Sequence, residues 1–444
     1  MRLLIAEKPD VVRRLNSLKL IPSDTEIVFT NGFGLWRDAL PSLSLQNIPF
    51  TEYPDKLRPS PFKFKKLLLD VAGEVLFKAD EHCDDREYLG ILNEMVSYLS
   101  QKMPEYEEII CAVDPDRAGY GSAKQLLDLI GGGNSVPVHC LYLNYLDDNY
   151  VLYQWQSRFD QPWSIDSKAN RWATEQRVKK TFDYWWNANS SVVLSELCKW
   201  CNLKADPLIS KYELMLMCLM ANQNRPLNEG EIIHLMVRWA GSGKYRDKNN
   251  LGFGSAASRV AILQSAINRG VLIRLMEPDK AGYVLSEVGR AFIDRLHPRT
   301  FDPDLPFRLE SWIQSEDYDS MRRYINTVFG RQLRYQRNYF RVSMTQIIIN
   351  EIYRQKKVVC RLIPDHKTLP CDNVQDNIEL KSEQGKFLGQ ISVRAYSGPY
   401  GVSYKDSEGI YLENCVYAKG DEEFAEYGSG TFSPEQWISK LNIK

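Results

Sequence analysis

Two stretches constrain the fold of this chain more than any others. Leu3–Ala6 is a short apolar run followed by Glu-Lys-Pro-Asp and then by Val11, Val12, Leu15 and Leu18 at helical spacing. Ile109–Val113 is a second such run, followed by Asp114-Pro-Asp-Arg-Ala-Gly and a helical stretch over Ala123–Ile130. A recurring order of strand, loop and helix predicts an α/β domain with a mostly parallel sheet, and ligands of such sheets bind at the carboxyl ends of the strands. His139–Tyr145 reads as one further strand after the glycines at 131–133, which sets the domain at residues 1–150.

Residues 151–330 read as mainly helical and rich in Trp and Tyr, with apolar residues at helical spacing over Ser210–Met220 and Glu229–Trp239. Within it, at about 250–298, come a helix over Ser255–Arg269, a strand over Gly270–Leu275, a turn at 279–282, a strand over Tyr283–Leu285 and a helix to Leu296 capped by Ser286. That is the order of a winged helix-turn-helix, a module that serves DNA binding or protein contact. Beyond about Asn350 the text is strand-like and turn-rich, so a small β-rich domain is expected over 331–444, with no role identified for it.

A hydrophobic content of 44% with 25% charged residues is that of a folded globular protein in two or three domains. The longest apolar stretches fall far short of the roughly 18 residues a bilayer demands, and charge interrupts the N-terminal run at Glu7 and Lys8, so the chain is expected to be cytoplasmic with no membrane partner. Nine scattered cysteines read as reduced thiols. Cys198 and Cys201 have the spacing of a metal or redox pair, but zinc usually takes a second pair, and Cys360 and Cys371 are distant and wider apart. A net charge of −1 argues against a wholly basic nucleic-acid protein and leaves local clusters at Arg13–Arg14, Lys63–Lys66, Lys168–Lys180 and Lys244–Lys248.

Asp114 and Asp116, on a loop leaving a buried strand, can point two carboxylates at a common centre, which is how Mg²⁺ is usually held; Glu7 can supply a third oxygen or a proton. The other reading is that Asp-Pro-Asp is a turn with a helix cap. Both stay open on spacing alone.

Taken in order, the residues resemble a known family. Leu4-Ile-Ala-Glu-Lys-Pro and Asp114-Pro-Asp-Arg-Ala-Gly look like the Toprim domain of the type IA DNA topoisomerases, topoisomerase III in particular. Phe29-Thr-Asn-Gly-Phe-Gly-Leu, Ile48-Pro-Phe, Lys56-Leu-Arg-Pro, Leu143-Asn-Tyr-Leu-Asp and Asp183-Tyr-Trp-Trp-Asn-Ala-Asn resemble its following segments. Leu251-Gly-Phe-Gly-Ser-Ala-Ala-Ser-Arg, Asn268-Arg-Gly-Val-Leu, Leu285-Ser-Glu-Val-Gly-Arg-Ala-Phe and Asp302-Pro-Asp-Leu-Pro-Phe-Arg-Leu-Glu-Ser-Trp continue the likeness to about residue 315. The resemblance implies a groove for single-stranded DNA between the Toprim and winged parts, contacted by Lys8, Arg117, Ser258 and Arg259, with Lys8 and Arg259 on phosphates. It also implies Mg²⁺ at Glu7, Asp114 and Asp116, Glu7 and Lys8 as the catalytic pair of any retained activity, and base stacking by the aromatics near 172–186.

Two departures weigh against full activity. The family's Asp-x-Asp-x-Glu is Asp114, Asp116 and Ala118 here, which removes one carboxylate and weakens Mg²⁺ binding. The gate segment with the nucleophilic tyrosine is replaced by the short Ser190–Ser210 stretch, which contains no tyrosine; Tyr245-Arg246-Asp247 superficially matches the nucleophile's context but lies on the wrong side of the family's order. The expectation is therefore a DNA-binding derivative that cannot relax DNA alone, binds single strands or junctions and works with a protein partner or larger complex. A metal-dependent Toprim nuclease, a split topoisomerase whose partner supplies the tyrosine, and an interaction scaffold are the alternatives.

Overall fold

The computed structural model describes the chain except residues 31–33, 54–55, 61–65, 81, 133–135, 242–251, 277–280, 364–374, 395–399, 417–430 and 444, with side chains left out also at 257, 337–343, 415 and 431. It divides into two compact units: unit 1 is 1–42, 51–186 and 307–322, and unit 2 is 43–50, 187–306 and 323–444.

Unit 1 begins with β1 (Arg2–Ala6), α1 (Pro9–Ser17) and β2 (Thr25–Phe29), continues through the short strands β3 (Trp36–Asp38) and β4 (Leu57–Pro59), and adds β5 (Lys66–Leu69) and β6 (Val75–Lys78). Then come α2 (Asp85–Lys102), β7 (Glu108–Ala112), α3 (Arg117–Ile130), β8 (Val138–Cys140), α4 (Asp148–Gln156) and the long α5 (Lys168–Trp200). The main sheet runs β6-β5-β2-β1-β7-β8; β2, β1, β7 and β8 are parallel, while β5 and β6 join antiparallel. Successive β1 side chains serve opposite cores: Leu3 and Ile5 pack in one cluster with Tyr88, Leu92 and Tyr120, Leu4 and Ala6 in the other with Val12, Leu15 and Val151. Burial on both faces is why these strands are unbroken apolar runs.

The Trp-rich part of α5 belongs to this packing. Tyr184, Trp185 and Trp186 are all buried, and Trp185 Nε1 donates to the Glu52 carbonyl at 2.7 Å. These rings are core, which corrects the base-stacking expectation for them; Trp172 is partly buried against Tyr120 and Tyr142.

Unit 2 continues with α6 (Lys211–Ala221), α7 (Glu229–Val237), α8 (Ala256–Arg269), β9 (Leu272–Leu275), β10 (Gly282–Leu285) and α9 (Glu287–Asp294). Leu227, between α6 and α7, bridges antiparallel to Tyr283 of β10, so the order is helix, bridge, helix, helix, hairpin. Ser255 and Ser286 cap α8 and α9 by accepting from the Ser258 and Gly289 N–H groups. After α10 (Leu305–Gln314) the chain enters α11 (Tyr318–Lys356) and then β11 (Val359–Ile363), β12 (Gln375–Lys381), β13 (Phe387–Arg394), β14 (Tyr400–Asp406), β15 (Tyr411–Val416), β16 (Thr431–Phe432) and α12 (Pro434–Lys440). This second six-stranded sheet follows chain order and is antiparallel apart from the β15–β16 pair; fully buried Trp437 of α12 and Ile378, Ile391 and Val402 belong to its core.

The expected boundaries move. α11 passes through 330 unbroken because its buried residues, Met321, Ile325, Val328, Phe329, Gln332 and Gln336, keep helical spacing across it. The strands of the β-rich part therefore open at Val359. α5 likewise continues to Trp200 through what reads as a connector, and β8 stops at Cys140.

Candidate functional site

β1 lies between β2 and β7 in the sheet, so the chain leaves β1 toward one side and later returns on the other. Crevices in open parallel sheets form at such a reversal, beyond the carboxyl ends of the two strands. Register puts Ala6 opposite Ala112, so Glu7-Lys8 and Asp114–Arg117 leave the sheet side by side.

The three groups nearest the reversal interlock. Glu7 is 3% exposed, and its Oε2 accepts the Asp114 N–H at 2.9 Å. The Lys8 ammonium lies 3.2 Å from Glu7 Oε1 and 2.5 Å from Asp114 Oδ2, between the two carboxylates. Burial, and then the Asp114 charge, raise the Glu7 pKa against the opposing pull of the N–H and the lysine. The hydrogen bond to Asp114 chiefly raises that of Lys8, which stays an ammonium. Gly119, at the start of α3, makes the close approach possible: a Cβ there would lie 2.3 Å from the Asp114 carbonyl oxygen and 2.8 Å from Glu7 Oε2.

Asp116 and Arg117 are engaged elsewhere. Asp116 caps α3, its Oδ1 accepting the Gly119 N–H at 2.9 Å. Arg117 donates through Nε to Glu175 Oε2 at 2.6 Å and through both terminal nitrogens to the two Glu310 oxygens, at 2.8 and 2.6 Å. This fork raises the Arg117 pKa and lowers that of Glu310. It ties α3 to α5 and α10, and all five guanidinium donors lie on nitrogens already facing carboxylates.

These residues fit Mg²⁺ poorly as they stand. Glu7 Oε2 is taken by an N–H, Asp114 Oδ2 by an ammonium and Asp116 Oδ1 by a helix N-terminus, while position 118 is alanine. The Lys8 ammonium lies between Glu7 and Asp114, and among the described residues no group of three His, Cys, Asp or Glu side chains is disposed to hold a metal. Cys198 and Cys201 are buried free thiols, and Cys371 lies outside the described residues.

The stretch around α8 holds its two candidates locally. Arg259 Nε donates to the Phe253 carbonyl at 3.2 Å, and the Ser258 hydroxyl donates to the Ser255 carbonyl at 3.1 Å. The turn before α8 needs Gly252, at φ 59°, because a Cβ would lie 2.6 Å from the Met236 and Val237 carbonyl oxygens. Of the basic runs, Arg13 pairs with Asp10 and Arg14 with Asp148. Lys63–Lys65, the Lys244–Lys248 run and Tyr245-Arg246-Asp247 lie outside the described residues.

Two features of unit 1 escape a sequence reading. Glu175 and Glu310 hold Arg117 from 58 and 193 residues away. A cavity of about 480 Å³, lined in part by Asp38, Gln125, Gln176, Arg177 and Lys180, contains a lysine whose pKa burial lowers and a glutamine whose Oε1 is buried without a hydrogen-bond partner among the described residues. Lys180 ends the Lys168–Lys180 run, but spacing does not separate it from the solvated lysines beside it.

No family model matches the chain, and no curated protein does. Among solved structures, full-length topoisomerase I from Thermotoga maritima is similar at 10% sequence identity with a TM-score of 0.31, over 97% of this chain and 68% of that one. A likeness this slight assigns no family.

Proposed function

We propose that this protein is a catalytically silent, type IA topoisomerase-like DNA-binding chain that holds single-stranded DNA within a larger assembly. The observation that carries the silent half is that Ser190–Ser210, where the family has its gate segment, contains no tyrosine. Phosphoryl transfer by this family's chemistry needs a tyrosine oxygen placed for attack and charge stabilisation at the phosphate. Here position 118 lacks the family's third carboxylate, and the segment that would bring the tyrosine is short. The DNA half is supported by the ordered resemblance along residues 1–315 and by the helix, bridge, helix, helix, hairpin order around α8. The missing gate motivates the partner, since strand passage needs both ends held.

The test incubates end-labelled single-stranded and duplex DNA with the full chain and Mg²⁺ or Mn²⁺, measuring binding by anisotropy and integrity on a denaturing gel. Salt-dependent binding of intact DNA, with a preference for single strands, is expected. Free cleaved ends or a covalent adduct would overturn the silent assignment, and salt-insensitive or absent binding would overturn the DNA assignment.

A further inference from the structure

Unit 2 carries a cationic cluster that the reading above does not use. The loop after α9 is fastened to α11 by the fully buried Gln332: its Oε1 accepts from the His297 N–H and the Thr300 hydroxyl, each at 2.8 Å, and its Nε2 donates to the Arg295 carbonyl at 3.1 Å. His297 Nδ1 accepts the Arg299 N–H at 3.0 Å, and the imidazole meets the Tyr335 ring edge-on with centroids 5.3 Å apart. The fastening brings Arg299 to the same neighbourhood as Arg331 and Arg334, which are three residues apart and so on one face of α11. The Arg334 guanidinium runs back along its helix, one nitrogen 3.7 Å from where a Cβ on Gly330 would lie. Burial and then the charges of Arg331, Arg299 and Arg334 push the His297 pKa down, so all three act on one imidazole.

Among the described residues, none of these three guanidinium groups has a carboxylate partner or a side-chain hydrogen bond. Holding like charges together disfavours the folded chain unless an anion offsets it. Elsewhere Arg117, Arg158 and Arg269 each face a glutamate. An unpaired cationic cluster on a buried anchor, flanked by two rings, matches a strand with regularly spaced phosphates and exposed bases.

We propose that Arg299, Arg331 and Arg334 form a phosphodiester-binding surface on unit 2 for a nucleic-acid strand, with His297 and Tyr335 beside it for base contact. The assignment is independent of the Glu7–Lys8–Asp114 site and rests on the DNA reading only in choosing nucleic acid over other polyanions. The experiment is anisotropy of a labelled single-stranded oligonucleotide across a NaCl series, with the full chain, the Arg299→Ala/Arg331→Ala/Arg334→Ala triple variant and the corresponding triple Arg→Lys variant. Each phosphate contact contributes roughly 0.7 to the slope of log affinity against log salt on single strands, so the alanine variant should lose about 2 in slope and bind at least about tenfold more weakly. The lysine variant should retain most of the slope, which separates charge from folding. Unchanged affinity and slope in the alanine variant, with the unsubstituted chain still binding, would overturn this surface alone. No binding by the unsubstituted chain would overturn both readings. Displacement of the oligonucleotide by polyglutamate at equal charge would overturn the nucleic-acid assignment in favour of an acidic protein.

Discussion

The side chain that Gly119 lacks decides whether the candidate site can close. A methyl there meets the Asp114 carbonyl, a backbone atom that cannot swing aside, and Glu7, which is buried and held by an N–H. Gly119→Ala should therefore destabilise the chain by about 1–3 kcal/mol, at or above the usual cost of overpacking, as read from the urea midpoint; a change within about 0.5 kcal/mol, the range of an ordinary surface substitution, would mean that the loop yields. Glu7 offers a pH test. Its pKa in the folded chain sits above the ordinary 4.5, first because it is buried and then because Asp114 is near. The folded chain thus keeps a proton that the unfolded chain has released. The contribution of the neutral carboxyl is complete below 4.5 and is lost as pH rises through the folded value. Glu7→Gln mimics the neutral form, so its urea midpoint should fall less between pH 4.5 and neutrality and be higher at pH 7. A midpoint lower at pH 7, with the pH slope intact, would show that the lysine more than compensates the buried charge.

At the scale of elements, unit 2 is fastened by a buried ion pair. Arg269, at the end of α8, and Glu213, in the first turn of α6, have side chains 0% and 2% exposed and meet at 2.8 Å; the guanidinium also donates to the Lys204 and Pro207 carbonyls. Removing one partner of such a pair leaves an uncompensated buried charge. Arg269→Met should cost about 3–5 kcal/mol of stability by chemical denaturation, and adding Glu213→Gln should recover part of it. An Arg269→Met variant as stable as the original would mean that water reaches Glu213. Much at this scale was legible in the sequence where local pattern and burial agree. The strands at Arg2–Ala6 and Glu108–Ala112 are apolar because both faces are covered, and Ser286 announces its helix because a hydroxyl satisfies a free N–H. Asp116 was ambiguous between cap and ligand, since both uses favour the same residue on the same loop; in the structure its Oδ1 caps α3. Arg117 looked available because its partners at 175 and 310 are remote in sequence. Trp185 and Trp186 could not be told from stacking rings by spacing, because a helix buried all round loses the polar face that marks orientation.

Across the whole molecule, unit 1 closes two cores on its main sheet, and unit 2 has its own around α6 and the C-terminal sheet. Chains with separately packed cores unfold in more than one step, since each core can lose its packing while another keeps it. The division also falls within α5 and α11, so each of these helices contributes residues to both units, and the steps should overlap instead of standing fully apart. Calorimetry should accordingly give a van't Hoff enthalpy below the calorimetric one. Gly119→Ala should lower the midpoint of one component and Arg269→Met that of the other, because their contacts lie wholly in unit 1 and unit 2 respectively. A 1 kcal/mol loss shifts a domain of 150 to 250 residues by roughly 2–4 °C, so the two displacements should be resolvable by deconvolution. If both variants instead move a single transition whose two enthalpies agree, the shared helices couple the cores completely, and the units are divisions of packing but not of stability.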